Sequence, residues 1–133
     1  MANNYIQFSV FVPLTQETLE WAADYLESDE CLEEMEECDN SVDFDYDFNF
    51  NGIFIYAMEG FCETVDNAAV TIRKLLQHDN SNEVTCLSWC ESCTHPDPGK
   101  FGGGTILISG EEIRYQPEMD WVRQNAKEMK AAL

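Results

Sequence analysis

Nine residues, Val42-Asp43-Phe44-Asp45-Tyr46-Asp47-Phe48-Asn49-Phe50, alternate without interruption. Val42, Phe44, Tyr46, Phe48 and Phe50 share one parity; Asp43, Asp45, Asp47 and Asn49 share the other. A period of two is the signature of a β-strand with one buried and one wet face. The apolar side is nearly all aromatic, so the strand is expected to anchor a core. The wet side is a row of carboxylates about 6.6–6.8 Å apart, since each strand residue rises roughly 3.3–3.4 Å. Such a row adds repulsion and nothing to packing. If it serves a purpose, that purpose is negative charge held in a line.

The rest of the chain shares this charge unevenly. Of 133 residues, 26 are acidic and 7 basic, for a formal net charge of −19. The first 72 residues hold 17 of the acids and no Lys or Arg. A field of this sign repels phosphate backbones and anionic membranes, and so argues against nucleic acid as a direct ligand. Three readings remain: a basic protein partner, solubility alone, or adaptation to high salt. With 44% hydrophobic residues the chain is no candidate for disorder, and its length suits one domain, residues 1–133. No run approaches a membrane span, and the start of the chain has no basic-then-apolar leader pattern. The six cysteines, Cys31, Cys38, Cys62, Cys86, Cys90 and Cys93, are then expected as thiols in a reducing cytoplasm.

Hydrophobic periodicity divides the chain into elements. Tyr5 to Val12 reads as a strand ended by Pro13. Thr15 is a candidate N-cap for a helix carried by Leu19, Ala22 and Leu26, with Trp21 and Tyr25 widening the stripe. The segment 27–39 is the most acidic, with Glu27, Asp29, Glu30, Glu33, Glu34, Glu36, Glu37 and Asp39. Cys31, Leu32, Met35 and Cys38 still recur at helical spacing, which predicts a second helix or a bent continuation of the first. The alternating strand follows, then Asn51-Gly52, the pair a type I′ hairpin turn favours. Ile53 to Met58 returns as a central strand, and 63–78 as a helix on Val65, Ala68, Ala69, Ile72, Leu75 and Leu76. Val84 to Trp89 and Thr105 to Ser109 read as strands around a Pro- and Gly-rich loop, 91–104. Ile113 to Tyr115 is a strand stub, and Pro117 suits the first turn of a last helix. The order predicts an α+β fold: a ferredoxin-like split β-α-β-β-α-β antiparallel sheet with a C-terminal β-strand and helix.

Few motifs compete with the charge. Cys86, Cys90, Cys93 and His95 form a weak zinc candidate, because three thiolates and an imidazole are a sound donor set but lack a second pair set apart by a loop. No resident metal or cofactor is expected. Gly102-Gly103-Gly104 follows Lys100 instead of preceding Lys-Ser/Thr, so it is not a phosphate loop. Asp43, Asp45 and Asp47 resemble the start of a calcium loop, but Phe48 and Phe54 stand where an EF-hand needs Gly and Glu. His78 and His95 join no nucleophilic triad pattern, and no enzyme is expected. The three tryptophans, Trp21, Trp89 and Trp121, sit in apolar patterns and are expected in the core.

The carboxylate row has nearly the pitch of phosphates along a DNA strand. Asp43, Asp45 and Asp47, beside the acidic segment 27–39, would present a negative array to a basic groove, gaining from steering and counterion release. In size, charge and acidic surface the chain resembles the DNA-mimic anti-restriction and anti-CRISPR inhibitors of phages and plasmids, a resemblance of type and not of motif. Ser88-Trp89, Cys93, Pro98, Phe101-Gly102-Gly103-Gly104 and Trp121 resemble a C-terminal pattern of uncharacterised mobile-element proteins, over about the last third. The resemblance implies a non-catalytic inhibitor of a basic nucleic-acid-binding defence protein or nucleoprotein complex. Two alternatives stay open: an immunity protein or antitoxin against a basic nuclease, and a small enzyme or soluble accessory protein with no charge-based partner. The apolar stripes leave room for a homodimer.

Overall fold

The computed structural model describes residues 4–35, 41–93 and 102–133. The elements are β1 (Asn4–Pro13), α1 (Gln16–Tyr25), α2 (Asp29–Glu33), β2 (Asp45–Asn49), β3 (Gly52–Gly60), α3 (Cys62–Asp79), β4 (Thr85–Cys93), β5 (Gly102–Ile108), β6 (Ile113–Pro117) and α4 (Glu118–Ala131). The strands form one antiparallel sheet in the order β2-β3-β1-β4-β5-β6. The fold is α+β, as the periodicities predict.

Strand parity decides what the sheet buries. Val10 opposes Ile55, Val12 opposes Ile53, and Phe8 lies between Ala57 and Trp89. These side chains, with Ile6, Leu87, Ile106 and Ile108, face the helices and join one core. α3 lies across β3, β1, β4, β5 and β6, and α1 packs beside α3 toward β3. Spacing of three and four puts Val65, Ala68, Ala69, Ile72, Leu75 and Leu76 on the buried side of α3, and Leu19 and Ala22 on that of α1. Each fully buried Leu or Ile contributes about 1.5–3 kcal/mol. The opposite face of the sheet carries Phe11, Phe54, Tyr56, Ser88, Cys90 and Leu107, none of them buried.

A hydrogen-bonded joint ties the two helices together. Thr15 caps α1, accepting at its side chain from the Thr18 amide. Asp79, the last residue of α3, accepts at Oδ1 from the Thr15 amide at 3.0 Å, from the Thr15 hydroxyl at 2.7 Å and from the Thr18 hydroxyl at 2.7 Å. A carboxylate at the start of α1 also favours the helix dipole. Burial pushes the Asp79 pKa up, but these hydrogen bonds and the neighbouring His78 outweigh it and hold the carboxyl below its usual range. Trp21 is half-buried between rings, stacked on His78 at 3.9 Å and on Tyr25 at 4.6 Å.

Four expectations change. The alternating run forms a strand only over Asp45–Asn49, and its aromatic side is buried only near its start. Phe44 is 4% exposed, whereas Phe48 is 42% and Phe50 82% exposed. β2 is the outermost strand and the helices pack chiefly on other strands, so the rings nearest the turn are left at the sheet margin. The hairpin loop is Phe50-Asn51, and neither Asn51 nor Gly52 has a positive φ. Glycine is needed at 52 for a different reason: a Cβ there would overlap the Phe11 ring and the Val12 carbonyl. Gly102-Gly103-Gly104 belongs to β5 and not to a loop, with Gly104 opposite Trp89. A side chain at 104 would overlap the Trp89 indole, which is half-buried over the core. Finally, 113–117 is a full strand that ends on Pro117, so the tail adds a hairpin and a helix instead of one strand and a helix. In α4, Val122, Ala126 and Met129 are exposed, and the Trp121 side chain lies outside the described residues.

Candidate acidic interaction surface

In the described part of the acidic segment, Asp29–Glu33 forms one short helix. Ser28 caps α2, accepting from the Cys31 amide at 3.2 Å, and Asp29 and Glu30 occupy the first turn, where the dipole favours carboxylates. Cys31 is fully buried and anchors the helix to the core. Glu27, Asp29, Glu30 and Glu33 point to solvent. Glu34 is different: it pairs with Lys74 of α3 at 3.2 Å and accepts from the Tyr25 hydroxyl at 3.2 Å. Burial, with the nearby Cys31 and Glu34, pushes the Tyr25 pKa well up. Glu34 therefore serves the helix packing as well as the surface. Glu36, Glu37 and Asp39 lie outside the described residues.

The three aspartates of the alternating run separate. Asp45 and Asp47 are exposed on β2, on the face away from the helices, opposite Tyr56 and Phe54. The Tyr56 hydroxyl donates to Asp47 Oδ2 at 3.0 Å, which, with a smaller effect of burial, raises the Tyr56 pKa. Asp43 precedes the strand. Its Oδ2 accepts from the Thr64 hydroxyl at 3.1 Å, and the same hydroxyl accepts from the Phe61 amide at the start of α3. The expected line of three carboxylates is thus a pair on the strand and a third bound to a helix terminus, because the ladder begins at Asp45.

The two acidic groups flank the sheet margin from opposite sides. Glu27 and Asp45 line one cleft of about 530 Å³ with Leu26, Phe44 and Tyr46. Tyr46, on the helix side of β2, shares that cleft with Glu27, and burial, then the charge of Glu27, raises its pKa. Asp43 and Asp45 line a second cleft of about 250 Å³ with Glu59 at the end of β3. Glu59 is the acid that sequence reasoning missed. The hairpin itself was the signal, since a turn at Phe50-Asn51 or at Asn51-Gly52 returns the end of β3 alongside Asp43.

The cysteine candidate gains no geometry. Cys86 and Cys90 are exposed on the open face of β4. Four residues along a strand is about 13 Å, whereas two sulfurs on one zinc lie within roughly 4 Å of each other. His95 and the Cys93 side chain lie outside the described residues. Among the described residues no three His, Cys, Asp or Glu side chains group as a metal site, and no helix is long and apolar enough to cross a membrane.

No family model, no curated protein and no solved structure matches this chain. The surface must be read from its own chemistry.

Proposed function

We propose that the protein is a non-catalytic, cytoplasmic inhibitor that occupies the basic nucleic-acid site of a bacterial defence protein or complex. One observation carries the reading. Asp45 and Asp47 stand exposed on the outermost strand, Glu27 lines a cleft with Asp45, Asp29, Glu30 and Glu33 are exposed on α2, and no cation neutralises these carboxylates among the described residues. The ion pairs there are Glu34–Lys74 and Glu112–Arg114. Unpaired carboxylates in such number create a long-range field that attracts a basic groove and releases its counterions. The likeness to DNA-mimic inhibitors rests on this charge and on size. The antiparallel order β2-β3-β1-β4, with α1 and α3 as crossovers, supports reading the first part of the chain as a ferredoxin-like split unit.

The experiment is a pull-down from bacteria that carry nucleic-acid-dependent defence systems, at low salt and at about 0.5 M salt, where the Debye length falls below 5 Å or so. Wild type is run beside Asp45→Lys/Asp47→Lys; Asp43 is left intact because it holds Thr64. The recovered protein is then tested for displacement from its own DNA or RNA. Recovery by wild type alone, lost at high salt, with nucleic acid displaced, is the expected result. A partner recovered equally by the charge-reversed variant, or one whose nucleic acid is not displaced, sinks the proposal. A nuclease toxin as the displaced partner moves the reading to an immunity protein.

A further inference from the structure

We infer that the free edge of β2 is a docking strand for an extended cationic segment whose basic and apolar side chains alternate. The inference rests on the acidic-surface reading only for the sign of the partner's charge. Its core is the backbone. Among the described residues β2 ends the sheet and is hydrogen-bonded to β3 alone, so alternate residues turn an N–H and a C=O outward. An added strand would satisfy them.

The side chains say which strand fits. On one side of the margin stand Asp45 and Asp47, with the exposed Phe54 one strand further in. On the other stand Tyr46 and Phe48, packed edge to face at 5.7 Å, with Phe48 left 42% exposed. A strand added here places successive residues beside carboxylates and then beside rings. Directly opposed side chains on neighbouring strands have Cβ atoms about 4.5–5.5 Å apart. Lysine or arginine at one parity and an apolar residue at the other match this pattern; the shifted register puts charge on rings and apolar groups on carboxylates. A second copy fits less well, because antiparallel β2–β2 pairing sets Asp47 against another aspartate in one register and against a ring in the next. The edge thus favours a cation over its own kind.

The test uses the full chain labelled with ¹⁵N and three peptides of equal charge. One alternates lysine with valine, one is the same peptide with N-methyl groups on alternate backbone nitrogens, and one has its lysines in a block. The alternating peptide is expected to bind, to shift residues 45–49 and to slow exchange of their outward amides. N-methylation removes alternate hydrogen bonds to the edge and should weaken binding about ten-fold or more. Asp45→Asn/Asp47→Asn, which keeps the strand, should weaken the alternating peptide as well. Equal binding of all three peptides with residues 45–49 unmoved overturns the edge and leaves the acidic surface standing. Failure of every lysine peptide to bind overturns both.

Discussion

The two margins of the sheet are made of similar lengths of chain and hold their charges differently. At the β6 margin, Arg114 is held by Glu112 from two residues away, at 2.8 and 3.0 Å, and the strand runs into α4. The pair raises the arginine pKa and lowers that of the carboxyl. Its charge is cancelled on the spot, while the nearby Asp66 meets only the Tyr115 hydroxyl. Among the described residues, the carboxylates of β2 have no cation beside them, and Asp47 meets the Tyr56 hydroxyl. A hydroxyl accommodates a carboxylate without cancelling it. The β6 margin carries an ion pair of its own, and β2 carries none.

The largest expected effect lies at the two ends of the alternating run, on either side of β2. Phe44→Ala should cost about 3–5 kcal/mol, as a buried aromatic does, while Phe50→Ala, on the same parity, should stay within about 0.5 kcal/mol. Urea titrations of both would measure the burial gradient directly, and equal costs would refute it. Next is the other side of the sheet: Gly104→Val drives a side chain into the Trp89 indole and should cost about 1–3 kcal/mol, read from the shift in urea midpoint. Asp79→Asn comes third, at about 1 kcal/mol from a weakened cap. The Asp79 pKa is lowered in the fold, so its contribution is present above the unfolded carboxylate value and is lost as pH falls through the folded one. The gap between wild type and Asp79→Asn should therefore close in acid. Smallest is Glu112→Gln: the pair is exposed, and no change in Tm is expected by calorimetry.

The sequence disclosed periodicity well and context poorly. Parity along 42–50 was legible because a strand must alternate, and it correctly divided Asp45 and Asp47 from Phe44 and Tyr46. That Phe48 and Phe50 would be exposed was not legible, since no residue in the run states which strand is outermost. The cap at Thr15 was marked by residue type and spacing. The role of Gly104 was hidden, because its reason is Trp89, fifteen residues away in sequence and one strand away in space. Of the acidic surface, the residues could be read off but not their arrangement. Asp43 and Glu34 look like their neighbours until Thr64 and Lys74 arrive beside them.

The stack of Tyr25, Trp21 and His78 has an optical consequence. An excited indole in face-to-face contact with an imidazole at 3.9 Å passes an electron to that ring and recovers it without emitting, more readily when the ring is protonated. Emission from Trp21 is therefore dim while α1 and α3 stay joined, and brightens when they part. The molecule carries its own lamp on the helix joint, and a ligand bound at the β2 edge can be told from one that pulls the helices open by whether that lamp changes.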